Sequence, residues 1–253
     1  MDSGGISKHS HEHDEGARKA LSDRSTATVI GVLFIVGTVA GALSGVVASS
    51  ILSGADILTR VADRRPQMVL ATLLLLTMGF VLAMVPVVFY PVARRHSEIL
   101  AMGYVVFRGA LETFTYIAGA LGWLLLVALS EQPLAAGAPI AGSVLVAEGV
   151  LWDQMLAIPF VLGAFMFYWL LYRSRLVPRW LSVWGLVGAA LYIAVPLADM
   201  FGLSLGILMA PLAIQEMVMG VWLIAKGFSS AAEVPMSVDS AAVPRVAAAG
   251  GRS

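Results

Sequence analysis

The 253-residue chain has no cysteine and few charged residues. Without cysteine it can form no disulfide, no thiolate nucleophile and no cysteine-ligated metal site. Asp, Glu, Lys and Arg make up 13% of the residues, about half of the ~25% that is usual in soluble domains. The 16 basic and 16 acidic residues balance, so no net charge attracts a nucleic acid. This composition excludes a soluble globular enzyme, a disordered chain and a nucleic-acid-binding protein.

Recognisable catalytic motifs are missing as well. The sequence has no HExxH, no P-loop and no dinucleotide-binding fingerprint. His9, His11 and His13 alternate near the N-terminus, which is a weak pattern for divalent metals, and adventitious binding is the favoured explanation. We therefore expect no cofactor and no metal. The only residues that could support an enzymatic function are a few carboxylates.

Apolar residues are abundant: they form 59% of the chain, and the mean hydropathy is +0.87. A helix needs about 20 apolar residues to cross a bilayer core. The apolar windows are continuous and do not alternate as in a β-barrel. Six windows are long enough, at about 28–50, 68–91, 99–128, 153–172, 180–198 and 203–225. The sequence predicts an all-α integral membrane bundle of six transmembrane helices.

Basic residues between these windows predict the orientation of the bundle. The N-tail, the C-tail and the loops after spans two and four hold 12 Lys and Arg, against 3 in the other loops. Because cytoplasmic loops are enriched in Lys and Arg, both termini are predicted to be cytoplasmic. Residues 1–27 and 229–253 are predicted as disordered tails around a transmembrane domain at 28–228. The apolar third loop, 131–147, is predicted as either a re-entrant piece or an interfacial helix.

Small residues in span one predict a packing face. Gly37, Gly41 and Gly45 repeat every four residues, so they lie near one another on the helix surface. Glycines at this spacing let a neighbouring helix approach closely in a membrane.

Three charges lie inside the predicted spans, and they form the candidate site. A charge such as Arg costs roughly 2.5–3.5 kcal/mol at a helix centre on insertion scales. Arg108 and Glu112 are four residues apart in span three, within pairing distance on a helix. By helical rise, Arg108 lies about 13 Å and Glu216 of span six about 15 Å from the same membrane face. We predict that Arg108 lies between the two acids, with Glu216 as the acid that titrates.

A second acidic group is predicted at the other membrane face, where Glu148, Asp153 and Asp199 lie at span ends. Charges at such positions are usually boundary residues in water. The alternative is an outer acidic mouth for a cation path.

Four stretches resemble a bacterial multi-pass family described as domain of unknown function 4386. They are PVVFYPVARRHSEILAMGY at 86–104, FRGALETFTYIAGAL at 107–121, LLYRSRLVPRWLSVWGLVGAALY at 170–192 and APLAIQEMVMGVWLIAKGF at 210–228. The resemblance covers about 28–228, and it matches Arg108, Glu112 and Glu216 to the family's Arg and Glu residues. It implies a six-span bundle in the bacterial cytoplasmic (inner) membrane and no known activity.

Two functions follow as hypotheses. The first is transport of a small solute, or proton- or cation-coupled transport, through the buried Arg/Glu cluster. The alternative is a structural or sensory membrane protein whose ion pairs only lock the helix bundle. The expected partners are the lipid bilayer and a small solute or cation, with no nucleic acid, and formation of a homo-oligomer is left open.

Overall fold

A computed structural model of the chain describes the backbone of residues 4–53, 56–131 and 138–229 and the side chains of residues 22–53, 56–131, 144 and 155–229. Within these ranges all regular secondary structure is helical. The α-helices are α1 Gly4–Leu52, α2 Ile57–Asp63, α3 Arg65–Ala93, α4 Glu98–Tyr104, α5 Glu112–Ser130, α6 Ala138–Ser174, α7 Arg179–Asp199 and α8 Ala210–Ala225. A π-helical segment, Val105–Leu111, joins α4 to α5, and a 3₁₀ turn, Gly206–Met209, precedes α8.

Six helices in the described residues are long and apolar enough to cross a membrane. They are Ser22–Leu52, Arg65–Ala93, Glu98–Ser130, Met155–Ser174, Arg179–Asp199 and Gly206–Ala225. Each overlaps one predicted window, so the prediction of an all-α bundle with six transmembrane helices is confirmed. The protein is a multi-pass membrane protein in contact with the lipid bilayer.

Local signals in the sequence explain several helix ends. Pro66 and Pro211 lie in the first turns of α3 and α8, where a proline costs no helical hydrogen bond. The Ser97 hydroxyl caps α4 by accepting a hydrogen bond from the Leu100 backbone N–H, at 3.4 Å. Gly227 follows α8 with a positive φ of 72°, the left-handed geometry that commonly ends a helix.

Two helices extend beyond the predicted spans. Helix α6 is continuous from Ala138 to Ser174, so the described part of the predicted third loop continues span four as a helix and forms no separate re-entrant piece. Helix α1 begins at Gly4, within the predicted N-terminal tail. A helix satisfies its backbone hydrogen bonds internally, so a polar segment can extend an apolar one. The C-terminal tail, 229–253, lies almost entirely outside the described residues.

One face of the bundle contains the start of span one and the end of span six, and we name it the Arg24 face. The Arg24 guanidinium donates to the carbonyl oxygens of Ile224 and Ala225, at 2.9 and 3.1 Å. It thereby satisfies two free carbonyls at the C-terminus of α8 and complements the helix dipole. Asp23 and Arg95 form an ion pair of 2.7 Å nearby. The start of span one, the loop after span two and the end of span six therefore meet at this face.

The opposite face, which we name the Arg65 face, holds the other ends of the spans. Arg65 at the start of α3 forms an ion pair of 2.7 Å with Glu131, just after α5. Because six spans alternate between the two faces, the start of span one and the end of span six lie on the same face. Which face is cytoplasmic stays a prediction.

The six spans form a closed ring in chain order. The third span is α4, the π-helical segment and α5 together. Each span packs against the next, and α8 returns to pack against α1. Aromatic side chains fill the interior near the Arg24 face: the ring of Phe167 lies 4.9 Å from that of Tyr104 and 5.3 Å from that of Phe89. A closed ring directs one stripe of every span inward, and this is what brings polar groups from distant spans together.

Only part of the glycine face of span one packs closely against α3. A Cβ atom built on Gly37 would lie 2.5 Å from the Leu82 side chain, and one on Gly41 would overlap Met78, so both glycines accommodate α3. A Cβ on Gly45 would meet no atom of the described residues within 4 Å. A four-residue repeat turns by about 40° at each step in a helix of 3.6 residues per turn. Gly45 is therefore rotated away from α3, and among the described residues only Gly37 and Gly41 of the three make this close approach.

Candidate functional site

The candidate site is the charge cluster of Arg108, Glu112 and Glu216, which lies inside the ring of spans. The side chain of Arg108 is 3% exposed, that of Glu112 is 1% exposed and that of Glu216 is 12% exposed. Arg108 lies in the π-helical segment Val105–Leu111, directly before α5 begins at Glu112. Single π-helical turns within α-helices are rare and are frequently found at functional sites.

One guanidinium contacts both carboxylates through different nitrogen atoms. Arg108 Nη1 lies 3.2 Å from Glu112 Oε1, and Arg108 Nη2 lies 3.2 Å from Glu216 Oε1. The first pair lies within span three, and the second joins span three to span six. The structure therefore brings Arg108 between two acids from different spans.

Two hydroxyl groups also donate hydrogen bonds to the two acids. Thr38 Oγ1 in α1 donates to Glu216 Oε2 at 3.2 Å. The Tyr116 hydroxyl, one turn after Glu112, donates to Glu112 Oε1 at 2.9 Å. Sequence reasoning did not identify Thr38. A hydroxyl in an otherwise apolar span is a weak signal, and only the packing of α1 against α8 gives it a partner.

Helix α6 supplies the apolar wall of the charge cluster. The Phe160 ring centroid lies 4.7 Å from Arg108 Cζ, a cation–π distance. A Cβ built on Gly163, one turn later, would lie 3.1 Å from both the Cβ and the backbone nitrogen of Arg108. The glycine thus allows α6 to approach the backbone that carries the arginine. Neither residue was identified from the sequence, because apolar residues in a span carry no sign of what they contact.

Two polar atoms of the charge cluster have no partner among the described residues. They are Arg108 Nε and Glu112 Oε2, and both are buried. Each oxygen of Glu216, in contrast, accepts one hydrogen bond. A buried polar atom without a partner costs about 1–3 kcal/mol, and native structures contain few of them. This uneven pairing distinguishes Glu112 from Glu216.

The formal charge of the cluster is −1, because two carboxylates face one guanidinium. Isolated charges are strongly disfavoured in an apolar medium. The cluster becomes neutral when one carboxylate takes up a proton or when a small cation binds beside it. The chemistry available to these residues is therefore reversible binding of a proton or a cation. The neighbouring hydroxyls of Thr113 and Thr115 donate to backbone carbonyl oxygens instead.

A second polar network joins three spans beside the charge cluster. The Tyr168 hydroxyl of α6 donates to Gln215 Oε1 at 2.7 Å, and Gln215 Nε2 donates to the Leu181 carbonyl oxygen of α7 at 3.1 Å. The Tyr168 ring packs directly over Gly185, where a Cβ would overlap it. Gln215 precedes Glu216 in sequence, so this network holds α8 in the rotation that points Glu216 toward Arg108.

Replacing Gln215 by Leu is expected to destabilise the protein by about 1–2 kcal/mol, because the Tyr168 hydroxyl loses its buried acceptor. Reversible unfolding of the purified protein in mixed micelles measures the change. The double variant Y168F/Q215L should be less destabilised than the sum of the two single variants. Strict additivity of the two effects would contradict the hydrogen bond.

The other predicted site residues lie outside this centre or outside the described side chains. Asp199 is exposed at the end of α7, on the Arg65 face. The side chains of Glu148 and Asp153 lie outside the described residues, so the outer acidic mouth stays a prediction. The side chains of His9, His11 and His13 also lie outside the described residues, so metal binding by them stays a weak prediction. Among the described residues, no group of three His, Asp or Glu side chains could hold a metal ion.

Comparison with known proteins identifies a family. The family described as Domain of unknown function (DUF4386) matches residues 29–227, which is well over half of the chain and includes the whole charge cluster. No curated protein and no solved structure matches the chain.

Proposed function

The chain belongs to the family described as Domain of unknown function (DUF4386), and we propose that it carries a proton or another small cation across the membrane. The proposed binding site is the charge cluster of Arg108, Glu112 and Glu216. One observation carries the proposal: a single buried guanidinium contacts two carboxylates from different spans, the buried Glu112 and the 12% exposed Glu216. Intramembrane charges are costly and usually mark pathways for ions or substrates.

Glu112 is the group that takes up the proton in this proposal. Its Oε1 already accepts from Arg108 and Tyr116, whereas its Oε2 has no donor among the described residues. Protonation at Oε2 removes the excess negative charge and leaves Arg108 paired with Glu216. Glu216 is held by donors on both oxygens, so it serves as the permanent counter-ion of Arg108.

The orientation and location of the protein belong to the same proposal. We place the Arg24 face in the cytoplasm, because most of the Lys and Arg of the chain lie in segments that lead to this face. The membrane is then the bacterial cytoplasmic (inner) membrane. A proton that reaches Glu112 from the Arg65 face would enter the cell along its usual electrochemical gradient.

Glu112→Gln is expected to abolish proton flux while the protein stays folded. The purified full-length protein is reconstituted in liposomes that contain a pH-sensitive dye, and a potassium diffusion potential, negative inside, drives protons inward. Wild-type liposomes should acidify faster than protein-free liposomes, and E112Q liposomes should match the protein-free rate. The amide cannot take up a proton, and it removes the unpaired charge, so the melting temperature should be unchanged or higher.

Asp23→Asn is the matched control, because it removes one carboxylate from the ion pair with Arg95 at the Arg24 face and leaves the charge cluster intact. D23N should acidify at the wild-type rate. Liposomes that contain a sodium- or potassium-sensitive dye instead, under a gradient of that cation, test other cations with the same proteins. If wild-type liposomes stay at the protein-free rate under every gradient, the proposal of cation transport is wrong.

The second candidate function is a structural or sensory protein whose cluster only locks the bundle. The close packing of Phe160 and Gly163 against Arg108 favours it, since a tightly packed cluster leaves little room for exchange. The native chain has no cysteine, so Thr38→Cys introduces a single thiol beside Glu216. If the cluster is only structural, membrane-impermeant thiol reagents should not label T38C. If the protein is a carrier, these reagents should label it.

A further inference from the structure

The turn between α6 and α7 presents basic residues in a fixed arrangement at the Arg24 face. Leu176 and Val177 of the turn are buried, and the Leu176 carbonyl oxygen accepts a hydrogen bond from the Ser229 backbone N–H at 2.8 Å. Arg175 and Arg179 flank this anchored pair, and both side chains are exposed. The turn thus holds two guanidinium groups at the level where span four ends and span five begins.

Several other arginines at the two faces are held by a partner within the described residues. Arg24 caps α8, Arg95 pairs with Asp23 and Arg65 pairs with Glu131. Within the described residues, Arg173, Arg175 and Arg179 form no ion pair. Three unpaired positive charges within seven residues favour an anionic ligand at this surface.

Aromatic rings continue the same surface toward the apolar part of the spans. Arg179 Cζ lies 5.1 Å from the Tyr172 ring centroid, across the turn. The Trp180 ring meets that of Trp222 of α8 edge to face at 6.3 Å and is 52% exposed. Indole and phenol rings prefer the head-group level of a bilayer. The surface therefore offers positive charge at one height and broad apolar rings directly beneath it.

We propose that this basic–aromatic surface, formed by Tyr172, Arg173, Arg175, Arg179, Trp180 and Trp222, binds the phosphate of an anionic phospholipid. The guanidinium groups bind the phosphate, and the acyl chains lie over the exposed Trp180 ring. Basic pockets between spans at one membrane face are a known chemistry for anionic head groups. A soluble phosphate would gain nothing from the rings, so the combination of charge and rings favours a lipid. The site is separate from the charge cluster and does not depend on the proposed transport.

Arg175→Gln/Arg179→Gln is expected to weaken retention of anionic lipid by about 25-fold, from about fivefold for each basic residue near an anionic surface. The full chain is purified in a non-ionic detergent, and phosphatidylglycerol is titrated while bound lipid is counted by native mass spectrometry. Phosphatidylcholine, which has no net charge, should bind weakly to wild type and variant alike. Wild-type binding of phosphatidylglycerol should weaken when salt is raised.

Arg60→Gln/Arg64→Gln is the matched control, because it removes two charges near the Arg65 face and none from the proposed surface. This variant should bind phosphatidylglycerol as the wild type does. Three outcomes would overturn the proposal: equal weakening in both double variants, equal binding of the two lipids by the wild type, and competition by inorganic phosphate at lipid-like concentrations. The last outcome would identify a phosphate site instead of a lipid site.

Discussion

Arg108→Gln is expected to destabilise the protein by about 3–5 kcal/mol, the range for removing one partner of a buried ion pair. The variant leaves the negative charges of the buried Glu112 and the partly buried Glu216 uncompensated, because glutamine is neutral. Phe160 also loses the cation over its ring. Reversible unfolding in mixed micelles, or the melting temperature in detergent, measures the loss.

Two further variants test the physical reason for that loss. Arg65→Gln removes an arginine of an exposed ion pair with Glu131 and should cost about 0–1 kcal/mol. The triple variant R108Q/E112Q/E216Q removes all three charges of the cluster and should recover most of the stability lost in R108Q. If the triple variant is as unstable as R108Q, uncompensated charge is not the cause, and the guanidinium acts mainly through packing.

Gly31→Leu is expected to destabilise the bundle by about 3 kcal/mol, at the upper end of the range for overpacking. A Cβ at Gly31 would lie 2.5 Å from the Gly220 carbonyl oxygen and 2.8 Å from the Ile224 side chain. Backbone cannot move aside as a flexible side chain can, so α1 and α8 must separate. Separation also removes the hydrogen bond from Thr38 to Glu216, and we therefore expect loss of function together with loss of stability.

Gly45→Leu is the control for the Gly31 prediction. Gly45 lies on the same helix, and a Cβ there meets no described atom within 4 Å, so we expect the new side chain to be accommodated without strain. The melting temperature of G45L should be unchanged or slightly higher, since glycine disfavours helix by about 1 kcal/mol. Equal destabilisation by G31L and G45L would mean that the approach of α1 to α8 is not the cause.

The charge cluster shows which part of a membrane site can be predicted along one helix. Arg108 and Glu112 are four residues apart, so helical geometry alone brings them together. Glu216 could be added because helical rise sets its depth in span six, and that depth matches the depth of Arg108 in span three. Depth does not decide which spans are neighbours around the bundle. The contact between Arg108 and Glu216 therefore needed the order of helices in the ring.

The surroundings of the charge cluster could not be predicted for the same reason. Thr38, Phe160 and Gly163 touch the charges from α1 and α6, and their contacts depend on how those helices are rotated. The helical period indicates which residues share a face, but it does not indicate what that face meets. Gly45 shows the limit clearly, because it shares a four-residue repeat with Gly37 yet has turned away from α3.

The sequence by itself determined that this protein crosses a membrane six times as helices, because each apolar run is long enough to span the bilayer and helices satisfy their own backbone. It also determined that three charges lie within the apolar core and at what depth. Only the tertiary structure decided that the spans close into a ring in chain order and that α1 approaches α8 at Gly31 and Gly220. It also decided that one oxygen of Glu112 has no donor among the described residues. Those features depend on lateral packing between helices, which is set by contacts among residues far apart in the chain.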